Sequence, residues 1–438
     1  MRGLMSAPQF PVPPLPRRGQ SRAFWRAPAT ASALSWHIAR AAQAHAGPLL
    51  VIARDSQSAR QIEADLLTLA GADDRPPARR ELPVLSFPDW ETLPYDRFSP
   101  HPEIVSQRLS TLHALPTLKR GAVVVPVQTL MQRLPPLRYV IGGSFDLKVG
   151  QRLDMDAEKR RLESAGYRNV PQVLDPGDFA VRGGLLDVYP MGAAAPIRIE
   201  LLDEDIDSIR EFDPENQRSL DKLPAVHMLP GREIPTDAAS LERAMDALRE
   251  RFDIDTRRSA LYQDLKSGIA PAGIEYYLPL FFENPHRDGR AAAAEDAHAG
   301  TASLFDYLGE GALPLVCDGV AEAADAFWAG TRERYEQRRH DIENPRLPPD
   351  ALYLPPDALR ERLNKGERIE VAGKGHARFD EAHALGDQPL PALPVAPREG
   401  APAAALKSFL GHYPGRVLVA ADSPGRREAL RHMLAPGG

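Results

Sequence analysis

Residues 30–69 read TASALSWHIARAAQAHAGPLLVIARDSQSARQIEADLLTL, and the alternation within them decides the fold. Thr30 to His45 is alanine-rich, and Leu34, Ile38, Ala41 and Ala42 recur at helical spacing, giving one apolar face. Gly47-Pro48 ends that helix. Pro48 to Ala53, PLLVIA, is an unbroken apolar run of strand length. From Ser56 to Leu69 a second helix sets Ile62, Leu66 and Leu69 on one face. A strand with no polar face, set between two amphipathic helices, calls for a parallel sheet covered on both sides.

Working outward, the same grammar repeats. VLSFPDW (Val84 to Trp90) reads as a strand entering a loop, Ile104 to Leu115 as a helix, and AVVVPV (Ala122 to Val127) as a third apolar strand. Near Arg138 the character changes, and as far as Leu229 the chain is strand-rich, with one helix from about Ala157 to Ala165. Asp175-Pro176-Gly177-Asp178 is a turn in which Pro presets φ and Gly supplies a positive one. Gly183-Gly184 inside a strand reads as a bulge or a close backbone approach. The acidic turn Asp203 to Asp205 joins Ile197-Ile199-Leu201 to Ile206-Ile209 as a hairpin.

Helix returns after Gly231, with Leu241, Ala244, Met245 and Leu248 aligned. Tyr276, Tyr277, Phe281 and Phe282 crowd GIEYYLPLFFE (Gly273 to Glu283), which suits core packing or a platform on which bases stack. Asn284 to Gly300 is polar and of low complexity, a surface loop. LPLVCDG (Leu313 to Gly319) is another buried strand, with Cys317 an inert core thiol. Arg346 to Pro356 is a proline-dense connector, and Arg416 to Leu434 reads strand, loop, helix.

The 438 residues carry 54 Lys and Arg against 60 Asp and Glu, so the formal charge is −6. That excludes a histone-like polycation and leaves room for local basic patches. One cysteine excludes a disulfide scaffold and a cysteine-rich zinc module, and fits a reducing cytoplasm. No apolar run is long enough to span a membrane. The Pro-rich start, PQFPVPPLPRR within Met1 to Gln20, lacks a signal peptide's apolar stretch and reads as a disordered tail. Its alternative reading is a polyproline ligand for a partner domain.

Chemistry is sparse. The place for a phosphate-binding loop, Arg26 to Ser35, is RAPATASALS, without Gly or Lys, and no G-x-x-x-x-G-K-[ST] occurs anywhere. Gly373-Lys374-Gly375 lacks the rest of that motif. There is no H-E-x-x-H, C-x-x-C or G-x-S-x-G. His37 and His45 are eight apart, too far for one metal, and Asp203 with Asp205 suits a solvated turn. We therefore expect no catalytic, cofactor or metal site: a multidomain interaction protein.

Three stretches are more specific. FPDWETLPYDRFSPHPEIVSQRLSTLHAL (Phe87 to Leu115), GDFAVRGGLLDVYPMG (Gly177 to Gly192) with RIELLDEDIDSIREFDPENQRSL (Arg198 to Leu220), and PAGIEYYLPLFFE (Pro271 to Glu283) occur in this order. From roughly Ser21 onward the chain resembles the N-terminal region of the bacterial transcription-repair coupling factor (Mfd) family. The resemblance implies an α/β fold like that of the excision-repair protein UvrB. A degenerate P-loop-NTPase-like parallel-sheet domain is split by an inserted, mainly β domain and followed by a small α/β domain. Residues 1–20 would be tail, 21–137 and 230–345 the two parts of the α/β domain, 138–229 the insertion, 346–365 a linker and 366–438 the small domain. In the family this region continues into a polymerase-interacting domain, an ATP-driven translocase and a C-terminal domain, and no helicase motif lies in this chain. YDRFSPHP (Tyr95 to Pro102) is far too short for UvrB's damage-probing hairpin.

The resemblance also implies a partner, UvrA, met by the insertion. Arg168 in SAGYR, and Phe179 and Arg182 in GDFAVRGG, match the motif residues of that contact. In the family the surface is masked by the protein's own C-terminal domain. Physically, strand parity sets Phe179 with Val181 on one face and Ala180 with Arg182 on the other, and an Arg fork beside two glycines suits a partner carboxylate. Residues 138–229 hold 12 basic and 17 acidic residues, a poor face for phosphates. DNA binding is expected to be weak or indirect. The alternative is a nucleic-acid-binding module of a helicase-like repair protein, resting on the aromatic cluster and on Arg334 to Arg339 and Arg426 to Arg431.

Overall fold

The computed structural model describes residues 12–17, 20–70, 82–282, 300–309, 311–387, 391–394 and 403–434. They fall into two compact units, 1–27 with 31–385 and 28–30 with 386–438. In chain order the strands are β1 (Arg22–Arg26), β2 (Pro48–Ala53), β3 (Val84–Ser86), β4 (Gly121–Pro126), β5 (Phe145–Lys148), β6 (Arg168–Asn169), β7 (Asp178–Arg182), β8 (Leu185–Val188), β9 (Ile197–Leu202), β10 (Asp205–Phe212), β11 (Ser219–Leu223), β12 (Ala225–Met228), β13 (Leu313–Val316) and β14 (Arg368–Ala372).

The apolar runs form one six-stranded parallel sheet, in the order β1-β14-β13-β2-β4-β3. Every residue of β2 and β4 is buried, as their lack of a polar face requires. Each Val, Leu or Ile so enclosed is worth about 1.5–3 kcal/mol. Helices α1 (Ala31–Ala44) and α2 (Ser56–Ala70) pack on this sheet and on each other. The aromatic segment is a 3₁₀ helix, Ile274–Phe281, and Tyr276, Tyr277, Phe281 and Phe282 are all buried. Of its two readings the structure selects core packing.

Two expectations about the first unit need correction. The stretch 346–365, read as a linker, instead forms short helices Pro349–Leu352 and Pro356–Asn364 with buried Leu352, Leu359 and Leu363. After it, β14 enters the main sheet between β13 and β1, where a separate domain was expected to begin. Its RIEVA pattern satisfies any parallel sheet, and nothing local tells which. The tail is also less free than expected: Pro13 is buried, and the indole N–H of fully buried Trp25 donates to the Pro14 carbonyl at 2.8 Å. A buried indole needs such an acceptor. The rest of the tail, 1–11 and 18–19, and the polar loop from Asn284 to residue 299 lie outside the described residues.

The insertion leaves and rejoins the α/β body through neighbouring strands, β5 and β12, which pair antiparallel from Phe145↔Met228 to Lys148↔Ala225. Between them lies a second sheet in the order β11-β10-β9-β8-β7-β6, antiparallel except for β6 beside β7. Its inner face buries Phe179, Leu186, Val188, Ile199, Ile206 and Ile209 in the main core, with Leu147 and Leu162. A helix, Met155–Ser164, is capped by Asp154, which accepts from the Ala157 N–H at 2.9 Å. Asp178 N–H donates to Asp175 at 3.1 Å across the Pro-Gly turn. Gly183-Gly184 is not a bulge but the two-residue turn of the β7–β8 hairpin, with Gly183 at φ +61°. A left-handed first position in so short a turn suits Gly.

Helix α3 (Pro102–Ala114) is the bracket between the layers. Its Ser106 hydroxyl accepts from Gly192 N–H at 2.8 Å. Arg108, fully buried, gives two N–H groups to Glu233 at 2.5 and 3.1 Å and a third to Pro88 O at 2.7 Å. Its guanidinium carbon lies 4.2 Å from the centre of the Phe87 ring and 5.0 Å from that of Trp90. The Trp90 indole N–H also donates to Glu233, at 3.1 Å.

Cys317, just past β13, is buried, and burial foremost pushes its thiol up to about 12. At neutral pH it is therefore un-ionised. We expect iodoacetamide to leave it intact in the native chain and to modify it once the chain is unfolded in urea, as mass spectrometry would register.

The second unit, described by itself, contributes helices Ala404–His412 and Pro424–Leu434. The strand expected at Arg416 is not formed: Leu418 is 94% exposed, and no strand of this unit is present among the described residues. An apolar run becomes a strand only where a neighbour takes its N–H and C=O groups.

Candidate functional site

The outward face of the second sheet carries the site, and its register can be written row by row. Arg182 stands opposite Leu185, which stands opposite Glu200. In the next row Ala180, Asp187, Arg198 and Arg210 follow one another across β7, β8, β9 and β10. In the third, Arg168 on β6 faces Asp178 on β7. Arg168 and Arg182 therefore share one face, two rows apart. Phe179 does not join them. It points inward and is fully buried, so the expectation that it touches a partner is corrected: its ring anchors β7 to the core.

Asp187 organises the face. Its carboxylate is buried and accepts two N–H groups from Arg198, at 2.7 and 2.9 Å. That bond, foremost, raises the basicity of Arg198, whose guanidinium carbon sits 4.9 Å from the centre of the Phe212 ring. Arg182 borders the same carboxylate at 3.9 Å and donates to Pro171 O at 2.5 Å, yet 51% of its side chain meets solvent. An Arg held on one side and open on the other is preorganised to meet an anionic partner group. Arg168 is half-exposed and pairs with buried Asp178 at 2.8 Å, and Asp178 also accepts from Asp175 N–H, so Arg168 braces the Pro-Gly turn as well.

Sequence reasoning passed over Asp187, Arg198, Leu185 and Leu202. Leu185 and the strongly exposed Leu202 lie on this face, beside Arg182 and at the end of β9. The signal was available as strand parity: Leu185-x-Asp187 and Arg198-x-Glu200-x-Leu202 are alternate positions. An Arg flanked by exposed leucines has the composition of a docking patch.

In two other regions the charges pair with one another. A groove of about 630 Å³ along β13 and β14 is lined by Arg22, Arg368, Glu370 and His376. There Arg368 bonds Glu370 at 2.5 Å and Asn364 at 2.6 Å, and Arg22 bonds Asn364 at 2.9 Å. Arg334 and Arg338 lie 3.5 and 3.7 Å from Asp96, and Arg339 is 3.0 Å from Glu336. No three His, Cys, Asp or Glu side chains converge as a metal cage among the described residues. No helix among them is long and apolar enough to cross a membrane.

The fold defines a class: a parallel α/β body carrying an inserted β domain. Residues 145–233 match the UvrB interaction domain, and residues 409–438 match the MFD D3 domain. The chain is 39% identical to the transcription-repair-coupling factor of Escherichia coli (strain K12) over 93% of its own length and 33% of that protein's. With the factor of Haemophilus influenzae it shares 38% over 88% of its length and 32% of the relative's, and with that of Bacillus subtilis 28% over 63% and 22%. Over most of its length the chain is a counterpart of the N-terminal region of the transcription-repair coupling factors, and it spans about a third of the length of the first of these relatives.

Proposed function

We propose that this chain is the UvrA-recruiting portion of a transcription-repair coupling factor, linking stalled RNA polymerase to nucleotide excision repair without chemistry of its own. The observation that carries the reading is the outward face of the UvrB interaction domain, where half-exposed Arg182 stands over the Asp187–Arg198 pair beside Leu185 and Leu202. Arg182 and Arg168 supply the charged contacts, the leucines the apolar ones, and Phe179 the support beneath. The α/β body is a degenerate nucleotide-binding fold that takes no ATP, since its strand–loop–helix after β1 carries Ala27-Pro28-Ala29-Thr30 where a Lys would meet phosphates. In a longer form, the protein's own C-terminal domain competes for the same face. The nucleic-acid reading has less support: the aromatic cluster is buried, and arginines 334, 338 and 339 face carboxylates.

The test is a titration of UvrA with the chain and with Arg182→Glu, both checked by circular dichroism. Because a glutamate at 182 would border the buried Asp187 carboxylate, Arg182→Ala is titrated beside it and the melting temperature of each variant is read with its affinity. Arg182→Glu is expected to weaken UvrA binding by about 30-fold or more, the scale of an interface hot spot. Undiminished affinity in the folded variant would refute this docking face, and no binding by the wild type would refute the partner.

A further inference from the structure

Where α3 meets the ribbon that carries the insertion, two imidazoles confront each other. His113 lies in the last turn of α3 and His227 in β12, with ring centres 4.7 Å apart, a tilt of 44° and Nε2 atoms 3.2 Å apart. The second nitrogen of His227, Nδ1, is 2.7 Å from the Asp146 carboxylate on the paired strand β5. Asp146 in turn has Lys148 at 3.7 Å. His227 is exposed and His113 half-buried, so the space before the two Nε2 atoms opens to solvent.

We propose that His113 and His227 form a two-histidine site for a divalent transition metal of the zinc class, with Asp146 as the carboxylate behind the second ligand. Three features carry this. Two imidazoles on one tetrahedral zinc, each about 2.0–2.1 Å from it, hold their nitrogens about 3.3 Å apart. The observed separation is already close to that. The ring centres are nearer than two rings meeting head-on across an N–H···N bond would place them, so the rings are offset from that line. Finally, Asp146 stands within hydrogen-bond distance of His227 Nδ1, and with that N–H donated to the carboxylate the Nε2 lone pair faces outward, the carboxylate–histidine–metal arrangement.

Water fills the remaining positions, which places the site among weak, exchangeable ones. Lys148 lowers its affinity further. A bound ion would staple α3 to β12 and so stiffen the stem on which the docking face is carried.

The test titrates tag-free chain with zinc chloride in a non-chelating buffer, following heat and melting temperature. One ion per chain and a raised melting temperature are expected. His113→Ala and His227→Ala should abolish both effects, and Asp146→Asn should weaken binding by about tenfold or more. No zinc bound by the wild type, or equal binding by both histidine variants, would overturn the site and leave an ordinary hydrogen bond between the rings. Should those variants misfold, cobalt(II) added to the unaltered chain decides: paramagnetically shifted signals from two imidazoles support the site, and their absence overturns it.

Discussion

Replacing Glu233 by alanine is expected to remove about 3–5 kcal/mol of stability, because it strands a buried guanidinium whose remaining carbonyl partner cannot neutralise it. Arg108 is fully enclosed, and Glu233 accepts from its Nε and Nη2 as well as from the Trp90 indole. Loss of that carboxylate leaves the Arg108 charge unpaired and three N–H donors, two on Arg108 and one on Trp90, without an acceptor in a buried region. Arg108→Ala should do comparable damage for the converse reason, and it also removes the plate lying against the Phe87 and Trp90 rings. The diagnostic is the double variant Arg108→Met with Glu233→Leu. Removing both charges relieves the desolvation that each imposes, so the pair together should cost less than the two singles summed. Urea unfolding followed through Trp90 fluorescence would read this, and strict additivity would mean that the two groups do not act as a unit. Since α3 holds Arg108 and Glu233 lies just after β12, where the insertion rejoins the body, the single variants should also loosen the insertion from the body before either part melts.

Phe179→Ala should cost a further kind of stability, about 3–5 kcal/mol, through the cavity left when a wholly buried ring is cut back. Its value lies in the contrast with Arg182. Phe179 and Arg182 are three residues apart on one strand, and a surface contact and a core anchor predict opposite pairings of effects. Phe179→Ala should lower the melting temperature and lose UvrA affinity only to the extent that the insertion unfolds. Phe179→Leu, which refills most of the volume, should recover both. If Phe179→Ala melts like the wild type while binding is lost, the ring is an interface group and its burial is undone on contact with the partner.

Much of this arrangement could be read from the residues. PLLVIA and AVVVPV could only be central strands of a parallel sheet, since a run without a polar face is stable only between two layers, and they lie side by side there. Asp203 marked a tight turn and sits at φ +57° between β9 and β10. The failures share a physical cause. That Arg368–Ala372 lies beside Arg22–Arg26 depends on pairing between segments far apart in the chain, and no local pattern encodes the order of strands in a sheet. VLV at Val417 to Val419 shows the converse, a run with strand composition that no strand among the described residues completes. At the docking face the glycines and Arg182 were legible by type. Asp187 was not, because a carboxylate in a strand looks solvent-facing until its Arg198 partner is placed across the ladder. The buried Arg108–Glu233 pair was hidden likewise, its halves 125 residues apart.

The place of β1 has a consequence for how the molecule is made. Among the described residues its partner strand is β14, roughly 350 residues later, and His383 bridges it as well. At about 5–20 residues per second on the ribosome, the first strand waits from roughly 20 s to over a minute for its mate. Meanwhile the whole insertion has emerged and its local hairpins have closed. The order of emergence thus completes the inserted β domain while the body that carries it is still an open sheet.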